Sequence, residues 1–350
     1  TFGSIQVQAN NPGRIKLINY TVPGDSPVKF PWQASDILSS LLAPTTLRHS
    51  PTIRTESAES AQAPTGTDPI FRSDVRMVNL LVAAFNEEGK PITNLQKRDF
   101  DVIEDGVPQR ISAVESGETP FNLAILLDLS GSTQPDRMAM KNAARRFVLI
   151  ARSNDDVAVY ALAGNAFHVI SRLTDEKDIL RETIARLPNA SGASPLYDAI
   201  VLAYAEDFLY RPSERNALVV ISDGIDNRVS GQEMPSRVSF KKLLRGAAEM
   251  NTLIYPVFLR SGERFGRGWS GRARKQMSKL AKTSGGRLFP ARSIQDLEPV
   301  FPLIEQELRS VYSLSYYPKE QTFDGAWRKV DVQVKRRGIS IRTRDGYYAR

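Results

Sequence analysis

The sequence predicts an α/β fold: a doubly wound, mostly parallel sheet of Rossmann-like type, flanked by β-rich segments that form a small β-sandwich-like module. Three observations carry this. From Asn122 to about residue 310, short apolar runs alternate with segments whose apolar residues recur every three or four positions. The runs are continuous rather than alternating, as strands covered on both faces require. On either side of this region the pattern is period two, punctuated by turn signals.

Taken in order, residues 1–70 read as an N-terminal extension or linker, partly disordered. The stretch PTTLRHSPTIRTESAESAQAPTGTDP (44–69) is rich in Pro, Ser, Thr and Ala, and the part before it suits an extended segment or docking arm. Residues 71–118 form the first β-rich flank. There VRMVNLLVAAF meets the turn NEEGKP, and DFDVIEDGVPQRISAV alternates about EDGVP as a hairpin does. Residues 119–310 make the α/β domain. NLAILLD is its first strand. A helix follows from about Pro135, a favourable first-turn residue, with Met140, Ala143, Ala144, Phe147, Val148 and Ala151 on one face. Next come the strand DVAVYALAG, an edge-strand pattern in AFHVISRL, a helix near 176–187, and a helix from 194 with Leu196, Ala199, Ile200 and Ala203 inward. ALVVISDG, a helix facing Phe240, Leu243, Leu244, Ala247 and Ala248 inward, TLIYPVFL, a basic helix, GRLFP and a helix near 294–310 complete the domain. Residues 311–350 return to strands in VYSLSYY, RKVDVQVKR and GISIRTR. Neither flank has enough strands for its own sandwich, so the two are expected to pack together, with the α/β domain inserted between them.

The chain has no cysteine, which excludes disulfides, thiolate nucleophiles and Cys-based zinc sites and fits an exported protein. It opens on Thr1, as a processed or trimmed product would; a secreted, periplasmic or cell-surface location is expected. No run approaches the length of a transmembrane segment. The net charge of +8 is unevenly placed. Residues 260–292 hold ten basic residues against Glu263, and Gly325–Arg350 holds eight against Asp331 and Asp345. Such patches attract anionic partners or simply keep a face solvated. Without interleaved aromatics they do not read as a single-strand groove, so no nucleic acid is expected. Trp269, beside Arg267 and Arg272, has the composition of a partner contact. Gly266-Arg-Gly268-Trp-Ser-Gly271 fits a dinucleotide fingerprint by letters alone. The preceding strand ends near Leu259, too far upstream for the tight turn, so an exposed basic loop is expected instead.

The chemistry gathers at strand ends. AILLDLSGST runs from a buried strand into Asp128, then Ser130 and Ser132 at alternate positions; VVISDGIDN ends in Asp223; NASGASPLYDAI places Ser194 in the loop opening a helix. Ligands of open parallel sheets bind beyond the carboxyl ends of the strands. Two carboxylates and three hydroxyls are hard oxygen donors suited to Mg²⁺, with Mn²⁺ or Ca²⁺ as alternatives. Gly131 is expected to permit the tight turn that aims both hydroxyls to one side. A capped strand–helix turn would use the same residue types, and it is the three loops together that favour a metal. A hydrolase using Asp128 is the enzymatic alternative. A phosphatase of that kind needs a second carboxylate two residues on, where Ser130 stands, and only His49 and His168 could supply a catalytic histidine. No enzyme is expected. The third alternative is an electrostatic binder of anionic polymer through 260–292.

DLSGS, GAS-PLYDAI and ISDGIDN, in this order and on these elements, resemble the von Willebrand factor A domain with its metal-ion-dependent adhesion site. The flanks KPITNLQKRDFDVIEDGVPQRI and YSLSYYP…DGAWRKVDVQVKR…IRTRDGYYA resemble those of bacterial proteins related to it. The resemblance implies that Asp128, Ser130, Ser132, Ser194 and Asp223 hold a divalent cation, and that a carboxylate of a partner protein completes its coordination. Ser194 stands where that family usually has threonine, and Ala193 where glycine is common. Gly131 and Asp226, in the same loops, and Trp269 are the positions expected to meet the partner.

Overall fold

Seven strands make the central sheet of the protein, seen in a computed structural model that describes residues 28–29, 32–43, 77–116, 119–133, 136–188, 192, 194–226, 236–259, 267–291, 296–320 and 322–350. In chain order the elements are β1 (Val28–Lys29), α1 (Trp32–Leu41), β2 (Val78–Phe85), β3 (Phe100–Glu104), β4 (Val107–Gln109), β5 (Ile111–Glu115), β6 (Asn122–Asp128), α2 (Arg137–Ile150), β7 (Asp156–Ala163), β8 (Ala166–Thr174) and α3 (Lys177–Ala185). They continue as α4 (Leu196–Asp207), β9 (Asn216–Ser222), α5 (Phe240–Glu249), β10 (Thr252–Leu259), α6 (Arg267–Ser284), β11 (Phe289–Ala291), α7 (Leu297–Arg309), β12 (Val311–Tyr316), β13 (Trp327–Val334), β14 (Ser340–Arg342) and β15 (Gly346–Tyr348).

The central sheet has the order β1-β8-β7-β6-β9-β10-β11. Strands β7, β6, β9, β10 and β11 are parallel, β8 returns antiparallel beside β7, and β1 pairs antiparallel with β8. From β6 the chain moves outward through β7 and β8, then crosses back to β9. The strand order therefore reverses between β6 and β9, which opens a crevice at their carboxyl ends. Both faces are covered, which explains the unbroken apolar runs. Ile125 and Leu127 pack with Met140, Phe147, Leu180, Phe301 and Ile304 of α2, α3 and α7. Leu126 and Val220 face the other way, toward Leu38, Ile200, Leu243, Met277 and Leu280 of α1, α4, α5 and α6.

The two flanks interleave. One four-stranded sheet runs β14-β2-β12-β5 and the other β15-β13-β3-β4, so each contains strands from before and after the α/β domain. Leu80, Val82, Phe100, Val102, Tyr312, Leu314, Val330 and Val332 fill the space between them. Asp105 (φ 46°) and Gly106 (φ 83°) make the β3–β4 turn, whose left-handed backbone suits the Asp-Gly pair. Buried Glu104 accepts from the Tyr316 hydroxyl at 2.6 Å and the Tyr347 hydroxyl at 2.9 Å. Strand β2 is buried on both sides, because Leu81, Ala83 and Phe85 turn away from the sandwich and join the core beneath α7. The seam is tied at the ends of helices: Arg344 donates to the carbonyls of Ala248 (2.9 Å) and Asn79 (2.8 Å), and Arg342 to that of Gly285 (3.0 Å). Buried Glu307, near the end of α7, pairs with Arg287 (2.9 Å) and Arg342. Helices of such a domain run opposite to its strands, so the sandwich sits at the end away from the crevice.

Several expectations are corrected. Within the expected linker, residues 32–41 form a helix whose Ala34, Leu38 and Leu41 are buried against the α/β domain. Leu38 lies so close to Gly246 of α5 that a Cβ there would overlap it. The stretch 44–69 lies outside the described residues. Strand β8 is not an edge, since β1 covers it. The expected basic loop at 266–271 is helix from Arg267 onward, which excludes a phosphate-cradling turn there, while Gly266 lies outside the described residues. Helix α2 begins at Arg137, and Pro135 also lies outside the described residues. Among the described residues no helix is long and apolar enough to cross a membrane.

Candidate functional site

Strands β6 and β9 carry Asp128 and Ser222 to their carboxyl ends, on the two sides of the reversal, and Asp223 follows directly. Asp128 is fully buried. Its Oδ2 accepts from the Ser222 hydroxyl (2.7 Å) and the Ser194 hydroxyl (3.1 Å), and its Oδ1 from the Ser130 N–H (3.2 Å). The hydroxyls of Ser130 and Ser132 lie 3.1 Å apart. Ser130 and Ser194 are fully buried, and Ser132 and Gly131 are half-buried, so the set opens outward past residues 131 and 132. The first loop is held from within. Leu129 N–H donates to Leu162 O at 2.8 Å, extending the β6–β7 pairing, and the buried Thr133 hydroxyl donates to the carbonyls of Asp128 (2.5 Å) and Ser130 (3.2 Å). Gly131 N–H reaches Gly192 O at 3.2 Å and joins the first loop to the second.

The third loop is fastened as firmly. Asp223 Oδ1 accepts from Ile225 N–H at 3.1 Å, and Ser222 Oγ from Gly224 N–H at 2.9 Å. Asp226 Oδ1 accepts from Leu196 N–H (2.9 Å), the first residue of α4, and from the Ser236 hydroxyl (2.6 Å). A carboxylate at that position also suits the positive end of the helix. Ser236 Oγ accepts in turn from Asp198 N–H at 3.1 Å. The buried Asp198 carboxylate receives Arg237 N–H and Val238 N–H, each at 2.9 Å. Burial pushes Asp198 up to about 6 despite those two donors.

Two carboxylates are concentrated here, Asp128 and Asp223. Burial first, and the Asp223 carboxylate second, push Asp128 up to about 6; the bonds from Ser222 and Ser130 offset this only in part. Among the described residues no three His, Asp, Glu or Cys side chains gather as a ligand cluster. Any ion here would rely on hydroxyl oxygens beside two carboxylates. That set fits a small, hard cation. Neighbouring oxygens around an octahedral ion at ~2.0–2.1 Å lie roughly 2.8–3.0 Å apart, and the Ser130–Ser132 and Ser194–Asp128 oxygen pairs, each 3.1 Å apart, come close to that spacing.

The structure thus brings Asp128, Ser130, Ser132 and Ser194 together and puts Asp223 within electrostatic reach. The reason expected for Gly131 does not hold: its φ is not positive, and a Cβ there would meet only Gly192 O, at 4.0 Å. Asp226 is half-buried and bonds within the fold. Trp269 falls in the first turn of α6, and its side chain lies outside the described residues. Sequence reasoning missed Ser222, Thr133, Asp198 and Ser236. The first three sit in the same stretches as the predicted residues, ISDG, SGST and PLYD, and their polar side chains at strand and helix ends were the available signal. His168 lies on β8, two strands from Asp128, with its Nε2 3.0 Å from Ala163 O.

Residues 123–225 match the family model of the von Willebrand factor type A domain. No curated protein matches the chain. Among solved structures, a von Willebrand factor type A protein from Catenulispora acidiphila is similar at 14% identity, covering 77% of this chain and 73% of that one with a TM-score of 0.44. The vWF domain of the type V pili tip protein Mfa5 from Porphyromonas gingivalis is 12% identical, covering 53% and 94%, TM-score 0.40. Proximal thread matrix protein 1 from the mussel byssus, in a form with a zinc-occupied MIDAS motif, is 16% identical, covering 57% and 48%, TM-score 0.44.

Proposed function

Because residues 123–225 match the von Willebrand factor type A domain, which commonly serves protein binding and adhesion, we propose that this chain is a metal-ion-dependent protein-binding module of an exported or cell-surface protein and not an enzyme. Asp128, Ser130, Ser132, Ser194 and Asp223 hold the ion, Mg²⁺ by the hardness of the donors. The observation that carries the reading is the fully buried Asp128 ringed by three serine hydroxyls beside a second carboxylate. Burying two carboxylates side by side is costly, and a cation between them offsets that cost. Bound there, the ion supplies positive charge and an open position for a partner's carboxylate.

The chain's residues do the rest. Ser222 and Ser194 orient Asp128, Thr133 fixes the turn that presents Ser130 and Ser132, and Asp226 and Asp198 hold the third loop against α4. Gly131 and Ser132, the half-buried members, form the rim that meets the partner. Ser130 stands where hydrolysis through Asp128 would need a general acid.

Thermal melts test this. Mg²⁺ at about a hundredfold over its dissociation constant should stabilise the wild type by about 2.7 kcal/mol, and EDTA should reverse it. The doubly substituted Asp128→Ala, Ser130→Ala protein should melt at one temperature in both. A wild type indifferent to Mg²⁺, Mn²⁺ and Ca²⁺ would sink the reading.

A further inference from the structure

Immediately beyond Asp223 the surface falls into a cavity of about 350 Å³, lined among the described residues by Tyr197, Ile225, Val238, Phe240, Arg272 and Gln276 along with five of their near neighbours in the chain. Its walls are the start of α4, the third loop, the start of α5 and the first turns of α6. The floor is apolar and aromatic: the Tyr197 and Phe240 rings lie 5.6 Å apart, and the Tyr197 hydroxyl donates to Gln276 Oε1 at 3.1 Å. A recess of this size and character suits a ligand's apolar group rather than a packing defect.

The rim is cationic. Arg272 opens a line of exposed cations that continues through Lys275, Lys279 and Lys282. At α-helical spacing these four fall within one quarter of the circumference and extend about 15 Å along α6. Neither α6 nor residues 236–248 contain an acidic residue, and Lys241 and Lys242 of α5 are also exposed. The Lys282–Asp345 pair, at 4.0 Å between exposed groups, neutralises little. The apolar recess and the strip of positive charge therefore adjoin at Arg272, and the wall of the recess continues in the chain directly from the buried Asp223.

We infer that the partner engages this surface with an acidic polypeptide segment that places an apolar side chain in the cavity and further carboxylates along α6. The inference rests on the proposed metal-dependent binding, whose completing carboxylate must come from the same segment: Gly224, Ile225 and Asp226 of the cavity wall follow Asp223 directly in the chain. A ligand that fills both places carries a carboxylate and an apolar group within a few residues of each other. A polypeptide offers that combination, whereas a nucleic acid or a polyphosphate carries no carboxylate. The cavity then sets which partner is chosen, and the α6 cations speed and steer the encounter.

Selection from a random twelve-residue peptide library, on the full chain with Mg²⁺, tests this. Peptides rich in Asp and Glu, with an apolar residue within three or four positions of one of them, should be enriched. The best of them, measured by fluorescence anisotropy, should bind roughly tenfold more weakly to Gln276→Trp, which fills the cavity from a half-buried position, and to the Lys275→Glu, Lys279→Glu double variant. No enrichment, enrichment without acidic excess, or equal binding by the variants would overturn the inference. So would displacement of the peptide from wild type and Gln276→Trp alike by a twenty-nucleotide DNA strand or phosphatidylserine vesicles. The same selection in EDTA separates the two ideas. Acidic-plus-apolar peptides that bind without metal, and lose affinity in both variants, keep the inference and defeat metal dependence. Metal-dependent peptides blind to both variants do the reverse.

Discussion

Metal-free Asp128→Asn protein is expected to be more stable than metal-free wild type near pH 7.5, by about 1–2 kcal/mol, and to gain nothing from Mg²⁺. The sign follows from Asp128's position. Its folded-state proton is held up to about 6 by burial and by Asp223, while an unfolded aspartate ionises near ~3.9. Between those values the folded chain binds more protons, so stability falls as pH rises through the window and the full cost is present above it. A difference of about two units is worth roughly 2.7 kcal/mol. Asparagine removes the charge and keeps an oxygen that can accept from Ser194 and Ser222, while its amide nitrogen faces the Ser130 N–H that Oδ1 accepted and gives back part of the gain. Urea unfolding in EDTA at pH 4.5 and 7.5 checks it: the variant should gain on the wild type from the lower pH to the higher. An Asn variant that is less stable at pH 7.5 would mean that the buried carboxylate is satisfied without a cation.

Arg309→Ala is expected to cost about 3–5 kcal/mol, the range for stripping one partner from a buried ion pair. At the end of α7, Arg309 forks onto Asp155, donating from Nη1 to Oδ1 at 3.0 Å and from Nη2 to Oδ2, and also meets Glu305 at 3.1 Å. Its guanidinium lies 4.4 Å from the centre of the Phe121 ring, just before β6. Burial alone would raise Asp155, yet the bonds from Arg309 outweigh it and hold the carboxyl below its ordinary value. The stabilisation is therefore present above the ordinary aspartate range and lost as pH falls through it. Without Arg309, Asp155 keeps the N–H groups of Arg152 (2.7 Å) and Phe121 (3.3 Å) but no longer a paired cation on its fork. Denaturant unfolding at neutral pH measures the loss, and the deficit against wild type should shrink on acidification. A loss under 1 kcal/mol would show that the Arg309–Asp155 pair adds little to the hold on α7.

Much of this architecture was legible in the residues. Runs such as NLAILLD and ALVVIS are apolar at every position because Ile125 and Leu126 face opposite helical layers, and no half-exposed sheet would need that. That the two flanks make one module followed from too few strands on each side, while their interleaving within each sheet did not. Helix α1 was hidden, although Ala34, Ile37, Leu38 and Leu41 have helical spacing, because ten residues beside a linker-like stretch carry little signal. Strand β1, two residues long, has no pattern to read. Asp128 and its serines stood out because carboxylates seldom end apolar strands. Thr133 and Ser222 did not, since a hydroxyl that bonds inward looks in sequence like any other turn residue. The clamp of Asp198 and Asp226 on the third loop depends on which carboxylate faces which backbone N–H, and only the folded chain decides that.

The central claim is that the loops after β6 and β9 and before α4 hold a divalent cation. Titration of Mg²⁺ into the full chain by calorimetry at pH 6.0 and 7.5, each in two buffers of different ionisation heat, tests it most directly. The account predicts saturable binding at one site, with proton release at pH 6.0 that fades at pH 7.5 as Asp128 loses its proton unaided. Both signals should vanish in the Asp128→Ala, Ser130→Ala protein. Heats in wild type no larger than in that variant would contradict the account.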